Sequence, residues 1–169
     1  MSDAGDVIGR RNQVSAVFWK TEQMRYLVIP DQEDALDPLI ARLKQLAMQD
    51  PTAVFDLLVP LGHRSHNPLA LTEAREHAQT HLEHVQRLLG EVGINADGEV
   101  AEDRLMWSID QALQGRPYDA IVLSTPPTVV RSALGADLAA QVERAYGIPV
   151  VHVVAPDARW PQPPPGPCP

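Results

Sequence analysis

A chain of 169 residues fits one domain, and its 44% of hydrophobic residues can bury a sizeable core, which excludes wholesale disorder. Acidic residues outnumber basic ones by 22 to 14, a formal net charge of −8, so we expect neither a nucleic-acid-binding protein nor one that binds anionic membranes. A single cysteine excludes a disulfide framework and a cysteine-rich zinc site. No stretch approaches the roughly 20 apolar residues of a membrane span, and the acidic start is not typical of a secretory signal, so we expect a cytoplasmic protein.

The two ends of the chain differ in composition from the middle. Residues 1–23 are mostly polar and predict a mobile N-terminal extension, although the apolar run at residues 14–19 would also suit an added edge strand or a partner contact. Residues 156–169 are rich in proline, which fixes φ and lacks an amide donor, so they predict a disordered tail. The folded domain is therefore expected over residues 24–155.

In the first half of the chain, short apolar runs alternate with helical periodicity. Residues 26–29 and 54–59 are uninterrupted apolar runs apart from Asp56, as expected of strands buried on both faces. Between them, Asp37 is a predicted helix N-cap, followed by Pro38 at the first turn. Thr72 is predicted to cap a second, long helix that ends at Gly90.

The second half repeats this alternation. A short polar strand is predicted at residues 94–100, a third helix after a cap at Asp103, and a fourth strand at residues 120–123, followed by a loop from Ser124. A fourth helix, with Leu138, Val142 and Ala145 facing inward, leads to a fifth strand at residues 150–154. Strands alternating with helices predict right-handed βαβ units, hence an α/β fold with an open five-stranded parallel sheet and helices on both faces. The strand order 3-2-1-4-5 is expected, since the polar third strand suits a sheet edge.

A ligand site in such a sheet lies beyond the carboxyl ends of the strands, where the strand order reverses. Asp31 follows the first strand, and Ser124 and Thr125 follow the fourth. A helix N-terminus near Gly135 could attract an anion, to which the two hydroxyls and the Arg131 guanidinium could add hydrogen bonds.

Three segments of the chain resemble the universal stress protein superfamily. They are Gly-Glu-Val-Ala at 98–101, Tyr-Asp-Ala-Ile-Val-Leu-Ser at 118–124 and Gly-Ile-Pro-Val-Val-His-Val at 147–153. Their order and spacing carry the resemblance, which covers about residues 24–155. It implies a fold of the adenine nucleotide alpha hydrolase-like type and a nucleotide cleft between strands one and four. It places Asp31 at the adenosine end of this cleft, and the candidate ligand-binding residues are then Asp31, Val59, Ser124, Thr125, Arg131 and Gly135.

The phosphate-binding part of the family pattern is mostly missing here. ATP-binding members carry a glycine-rich loop after the fourth strand, and of its glycines this chain keeps only Gly135. Pro126 and Pro127 remove two amide donors, and Asp137 would repel a triphosphate. We therefore expect ATP or AMP to bind weakly or not at all.

The histidine residues offer a further candidate site. His77 and His81 lie four apart on the second helix, a spacing that can hold zinc, and His63 and His66 precede them. Without a carboxylate or cysteine at a known metal spacing, we favour a solvated helix flank over a metal site. Trp107 is expected to pack in the core.

The function predicted from these observations is that of a non-enzymatic, stress-associated regulatory module, without a catalytic motif, acting on a protein partner. The resemblance implies a homodimer through the fifth strand, with an interface formed by Val150, Val151, His152, Val153 and Val154. One alternative is a sensor or enzyme for a small phosphorylated ligand that uses Asp31, Ser124 and Thr125. The other is a metal-binding protein that uses the histidine helix.

Overall fold

The computed structural model describes residues 23–30, 36–61, 67–101, 104–125 and 135–154, without the side chains of residues 135–137. Its strands and helices alternate along the chain. The elements are β1 (Arg25–Ile29), α1 (Leu36–Gln49), β2 (Val54–Val59), α2 (Pro68–Glu91), β3 (Ala96–Val100), α3 (Leu105–Gly115), β4 (Ala120–Thr125), α4 (Gly135–Tyr146) and β5 (Val150–Val154). In these ranges no helix is long and apolar enough to cross a membrane.

The strands form one parallel sheet in the order β3-β2-β1-β4-β5, which confirms the predicted topology. One hydrophobic cluster fills the face covered by α1 and α2, and a second fills the face covered by α3 and α4. β1 and β4 are buried along nearly their whole length, because each has a neighbouring strand on both sides and helices on both faces. β3 exposes its three central residues, as expected of a polar edge strand.

Two helices begin earlier than the sequence indicated. α1 already includes Leu36, so Asp37 lies in its first turn and is not its N-cap. α2 begins at Pro68, and its N-cap is Asn67, whose Oδ1 accepts a hydrogen bond from the Leu69 amide at 3.1 Å. Thr72 is inside this helix and donates to the Pro68 carbonyl. The predicted cap at Thr72 is therefore wrong; proline at the first helical position, where no amide donor is needed, marks the true start. Asp103, the predicted cap of α3, lies outside the described residues.

The fourth strand is longer than predicted. Ser124 and Thr125 belong to β4 rather than to a loop, because they continue its pairing with β5 opposite Val153 and Val154.

Two residues predicted to face the core are exposed. Trp107 is 51% exposed, because α3 turns Ser108 and Ile109 towards the sheet instead. Ala145 of α4 is also exposed, whereas Val142 is buried as predicted.

Candidate functional site

The sheet brings three of the predicted ligand-binding residues together at the carboxyl ends of its strands. Val59 is the last residue of β2, and Ser124 and Thr125 are the last residues of β4. β1 lies between these strands, so the residues flank the point where the strand order reverses. All three are at most 2% exposed, so they lie under the rim of the cleft rather than on its surface.

The Thr125 hydroxyl already has a partner. Its Oγ1 lies 2.6 Å from Nε2 of His152 on the neighbouring strand, with both side chains on the face covered by α3 and α4. Burial lowers the pKa of His152 below its ordinary 6.5, which favours the neutral imidazole. A neutral ring can accept the threonine proton in a hydrogen bond, so this hydroxyl is engaged with protein rather than directed to a ligand. The alternation of histidine with valines did not reveal this contact.

Ser124 presents the opposite situation. Its Oγ is buried, points to the face covered by α1 and α2, and has no hydrogen-bond partner among the described residues. A buried hydroxyl without a partner is costly, so such a group commonly marks a place where a water or ligand atom fits. Ser124 is therefore the hydroxyl best placed to meet a ligand at this end of the sheet.

The remaining predicted residues of the cleft are only partly described. Asp31 and Arg131 lie outside the described residues, as do Pro126 and Pro127. Gly135 is the first residue of α4 as described, so it stands at a helix N-terminus, as the sequence indicated. The described part of the cleft thus consists of the ends of β1, β2 and β4 and the start of α4.

The histidines predicted as weak metal candidates lie on one flank of α2. His77 is exposed, His81 and His84 are half-buried, and no group of three or more potential ligands comes together there among the described residues. The ring of His84 contacts Arg87 through Nδ1 at 2.8 Å. His63 and His66 lie outside the described residues.

A charged cluster that no sequence pattern indicated lies at the amino ends of the strands. Asp56 points from β2 to the α3 and α4 face, where its Oδ2 accepts hydrogen bonds from Arg25 Nη1 at 2.9 Å and Tyr118 Oη at 3.0 Å. Arg116 Nη1 lies 3.5 Å from the same oxygen. Burial and the bond to Asp56 raise the pKa of Tyr118 to about 12. The single acid in the apolar run of β2 was the available signal, but its partners lie far away along the chain.

This cluster fastens the loop before β4 to the start of β1. Asp119 adds a second connection, because its Oδ2 accepts from the Arg25 amide at 2.7 Å while its own amide donates to the Arg25 carbonyl. The cluster lies at the opposite end of the sheet from Ser124 and Thr125. Its role is to hold the strands in register and not to line the cleft.

Comparison with known proteins rests on structure. No protein-family sequence model matches the chain, and no curated protein sequence matches it. A universal stress protein family structure from Burkholderia pseudomallei superposes with a TM-score of 0.58 at 17% identity, covering 79% of this chain and 97% of that one. The chain has the universal stress protein fold.

Two further structures with this fold carry an adenine nucleotide. The universal stress protein of Archaeoglobus fulgidus, in complex with dAMP, matches with a TM-score of 0.54 and 15% identity over 77% of this chain and 97% of that one. A universal stress protein family protein of Arabidopsis thaliana with AMP bound matches with a TM-score of 0.52 and 12% identity over 82% and 95%. At these identities the comparisons establish the architecture of the chain.

Proposed function

We propose that this protein is a non-enzymatic, stress-associated regulatory module that acts as a homodimer and binds adenine nucleotides weakly or not at all. The observation that carries the proposal is a universal stress protein fold combined with a sequence after β4 that keeps only Gly135 of the glycine-rich loop. Two neighbours of the same fold hold dAMP or AMP, which supports an adenine nucleotide as the ligand class to test.

Two features favour weak binding. Pro126 and Pro127 supply no amide hydrogen bonds after β4, and the Thr125 hydroxyl is paired with His152. A hydrogen bond to a charged group contributes about 1.5–3 kcal/mol, so the loss of two such bonds weakens binding by at least about two orders of magnitude. Because the phosphate end of the cleft lacks these donors, the additional phosphates of ATP gain few hydrogen bonds, so AMP is expected to bind nearly as well as ATP.

Calorimetric titration with ATP, ADP and AMP tests this part of the proposal. We expect dissociation constants of about a millimolar or weaker for all three, with at most a few-fold difference between AMP and ATP. Ser124→Ala should weaken any measurable binding. Ser108→Ala is its matched control, since Ser108 is also a buried serine without a described partner but lies on α3. Submicromolar ATP binding that is lost in Asp31→Ala would contradict the proposal.

The edge of β5 supports the proposed dimer. Among the described residues β5 pairs only with β4, and its apolar residues Val150 and Val151 are half-buried while Val154 is 40% exposed. Pairing this edge with the same edge of a second copy would satisfy its backbone groups and cover the valines.

The backbone of β5 indicates which residue to change. The Ile121 amide donates to the Pro149 carbonyl, so in a parallel ladder the Val151 amide faces β4 and the His152 amide faces the open edge. His152→Pro should therefore reduce dimerisation, whereas His152→Ala, which keeps the amide, should not. Wild-type protein that sediments as a monomer at micromolar concentration would refute the dimer.

A further inference from the structure

The outer side of α1 and the adjacent edge of β5 form an open groove of about 610 Å³. The core of α1 is the stripe of four buried leucines, Leu36, Leu39, Leu43 and Leu46. The groove uses a second stripe of the same helix at three- and four-residue spacing, formed by Pro38, Ala41, Gln45 and Met48. Met48 is 76% exposed, which is a large apolar surface left uncovered.

The groove exists because two helices cover this face of a five-stranded sheet. α2 packs against β2 and β3 and α1 reaches β5, so no further described helix covers the sheet on this face beyond α1, on the open-edge side of β5. Val151 and Val153 point to this face, and Val151 remains half-buried. The β5 residues that line the groove are Val153, whose side chain faces α1, and His152.

The groove is positively charged although the chain is acidic. Arg42 and Lys44 line it, and no Asp or Glu is among its described lining residues. The whole chain carries a formal charge of −8, so the local charge of the groove is opposite in sign to the net charge of the protein. An acidic partner would be attracted here, whereas a third or fourth acidic copy of the chain would bring like charges together.

The proposed dimer completes this surface. Antiparallel pairing of two β5 edges places a two-fold axis perpendicular to the sheet, so both α1 helices lie on the same face, one on each side of the axis. The two grooves then join into one trough with α1 walls, a valine floor and four cations on its rim. The backbone groups of both β5 edges are used in the dimer, so an extended segment would find no free edge to pair with. A helix satisfies its own backbone groups and fits such a trough with one apolar face.

We propose that this trough binds an acidic amphipathic helix of a partner protein. The inference rests on the proposed dimer, because one copy supplies only one wall. The apolar face of the helix would pack on Met48 and Val153 of each copy, and its acidic residues would pair with Arg42 and Lys44.

The test uses the full chain and a fluorescein-labelled 18-residue helical peptide with leucines on one face and glutamates on the other. Fluorescence anisotropy measures binding, and sedimentation velocity at the same concentration measures the oligomeric state. We expect Arg42→Glu with Lys44→Glu to raise the dissociation constant at least ten-fold while the dimer persists. The control pair Arg75→Glu with Arg87→Glu, which makes the same charge change on the exposed side of α2, should change it less than two-fold. A matched peptide with lysine in place of glutamate should bind at least ten-fold more weakly.

Each contrary result has a distinct meaning. If the wild-type dimer fails to bind the peptide at concentrations on the order of 100 µM, the trough is overturned but the dimer is not. The same holds if the charge-reversed variant binds the peptide as well as the wild type does. A monomeric wild-type protein overturns both. Tighter peptide binding by Trp160→Ala would indicate that the C-terminal segment of the chain itself occupies the trough. A concentration-dependent tetramer would indicate that further copies of the chain occupy it. Either result overturns the choice of an acidic partner.

Discussion

Removal of the Asp56 side chain should weaken the fold without touching the cleft. Its side chain is 9% exposed, and one oxygen accepts hydrogen bonds from Arg25 and Tyr118. Each bond to the carboxylate contributes about 1.5–3 kcal/mol, while the pair with Arg116, which is 59% exposed, contributes about 1 kcal/mol at most.

Two effects reduce the loss of stability below the sum of these bonds. Arg25 is 30% exposed and can recover water, so its bond is discounted for solvent screening. The other carboxylate oxygen, Asp56 Oδ1, is buried without a described partner, so removing the side chain also removes the unfavourable free energy of burying this unpaired oxygen. We therefore expect Asp56→Ala to lower the free energy of unfolding by about 2–3 kcal/mol, which corresponds to a fall in Tm of roughly 6–12 °C for a domain of this size.

Urea and thermal unfolding followed by circular dichroism measure this change. Asp97→Ala is the matched control, since Asp97 lies directly opposite Asp56 on β3 but is exposed, and it should change stability by less than about 0.5 kcal/mol. Combining Asp56→Ala with Tyr118→Phe should give a smaller loss than the sum of the single changes, because the two share one hydrogen bond. Equal stability of Asp56→Ala and Asp97→Ala would refute the structural role of the cluster.

Three further changes test other parts of the structure. The pKa of Tyr118 is about 12 in the folded protein against 10.0 for an unperturbed tyrosine, so its contribution to stability is present below pH 10 and is lost as the pH rises towards 12. In urea unfolding, the free energy of unfolding of Tyr118→Phe should therefore fall less steeply between pH 10 and 12 than that of the wild type. Burial lowers the pKa of His152, so below pH 6.5 the unfolded chain takes up a proton that the folded protein does not, and the free energy of unfolding falls as the pH drops. His152→Val should make this fall with pH less steep. An unchanged pH dependence would contradict the burial of His152. A Cβ at Gly98 would lie 2.7 Å from the Leu57 Cβ, so Gly98→Ala should cost about 1–3 kcal/mol in chemical unfolding, whereas Gly90→Ala, with nothing within 4 Å, should be neutral or stabilising.

The sheet could be predicted because its signals are local. Apolar runs, helix periodicity and terminating glycines alternate along the chain, and the polar third strand indicated an edge. The start of α2 was harder, because both Asn67 and Thr72 are residue types that cap helices, and Pro68 after Asn67 was the signal that decides between them.

The site could be predicted only in part, because its contacts are tertiary. Ser124 and Thr125 have the composition of a loop, and only pairing with β5 makes them strand residues. The Thr125 contact with His152 joins residues 27 positions apart, and the Tyr118 contact with Asp56 joins residues 62 apart. No local pattern reports such distances.

Native mass spectrometry of the purified full chain tests the central claim most directly, since one spectrum reports both the oligomeric state and any retained nucleotide. The proposed function predicts the mass of a dimer of an 18.5 kDa chain, with no adenine nucleotide or a substoichiometric amount. A monomer mass would contradict the β5 interface. A dimer that carries one ATP per chain would show that the proline-containing segment after β4 holds phosphates after all, and would contradict the weak cleft.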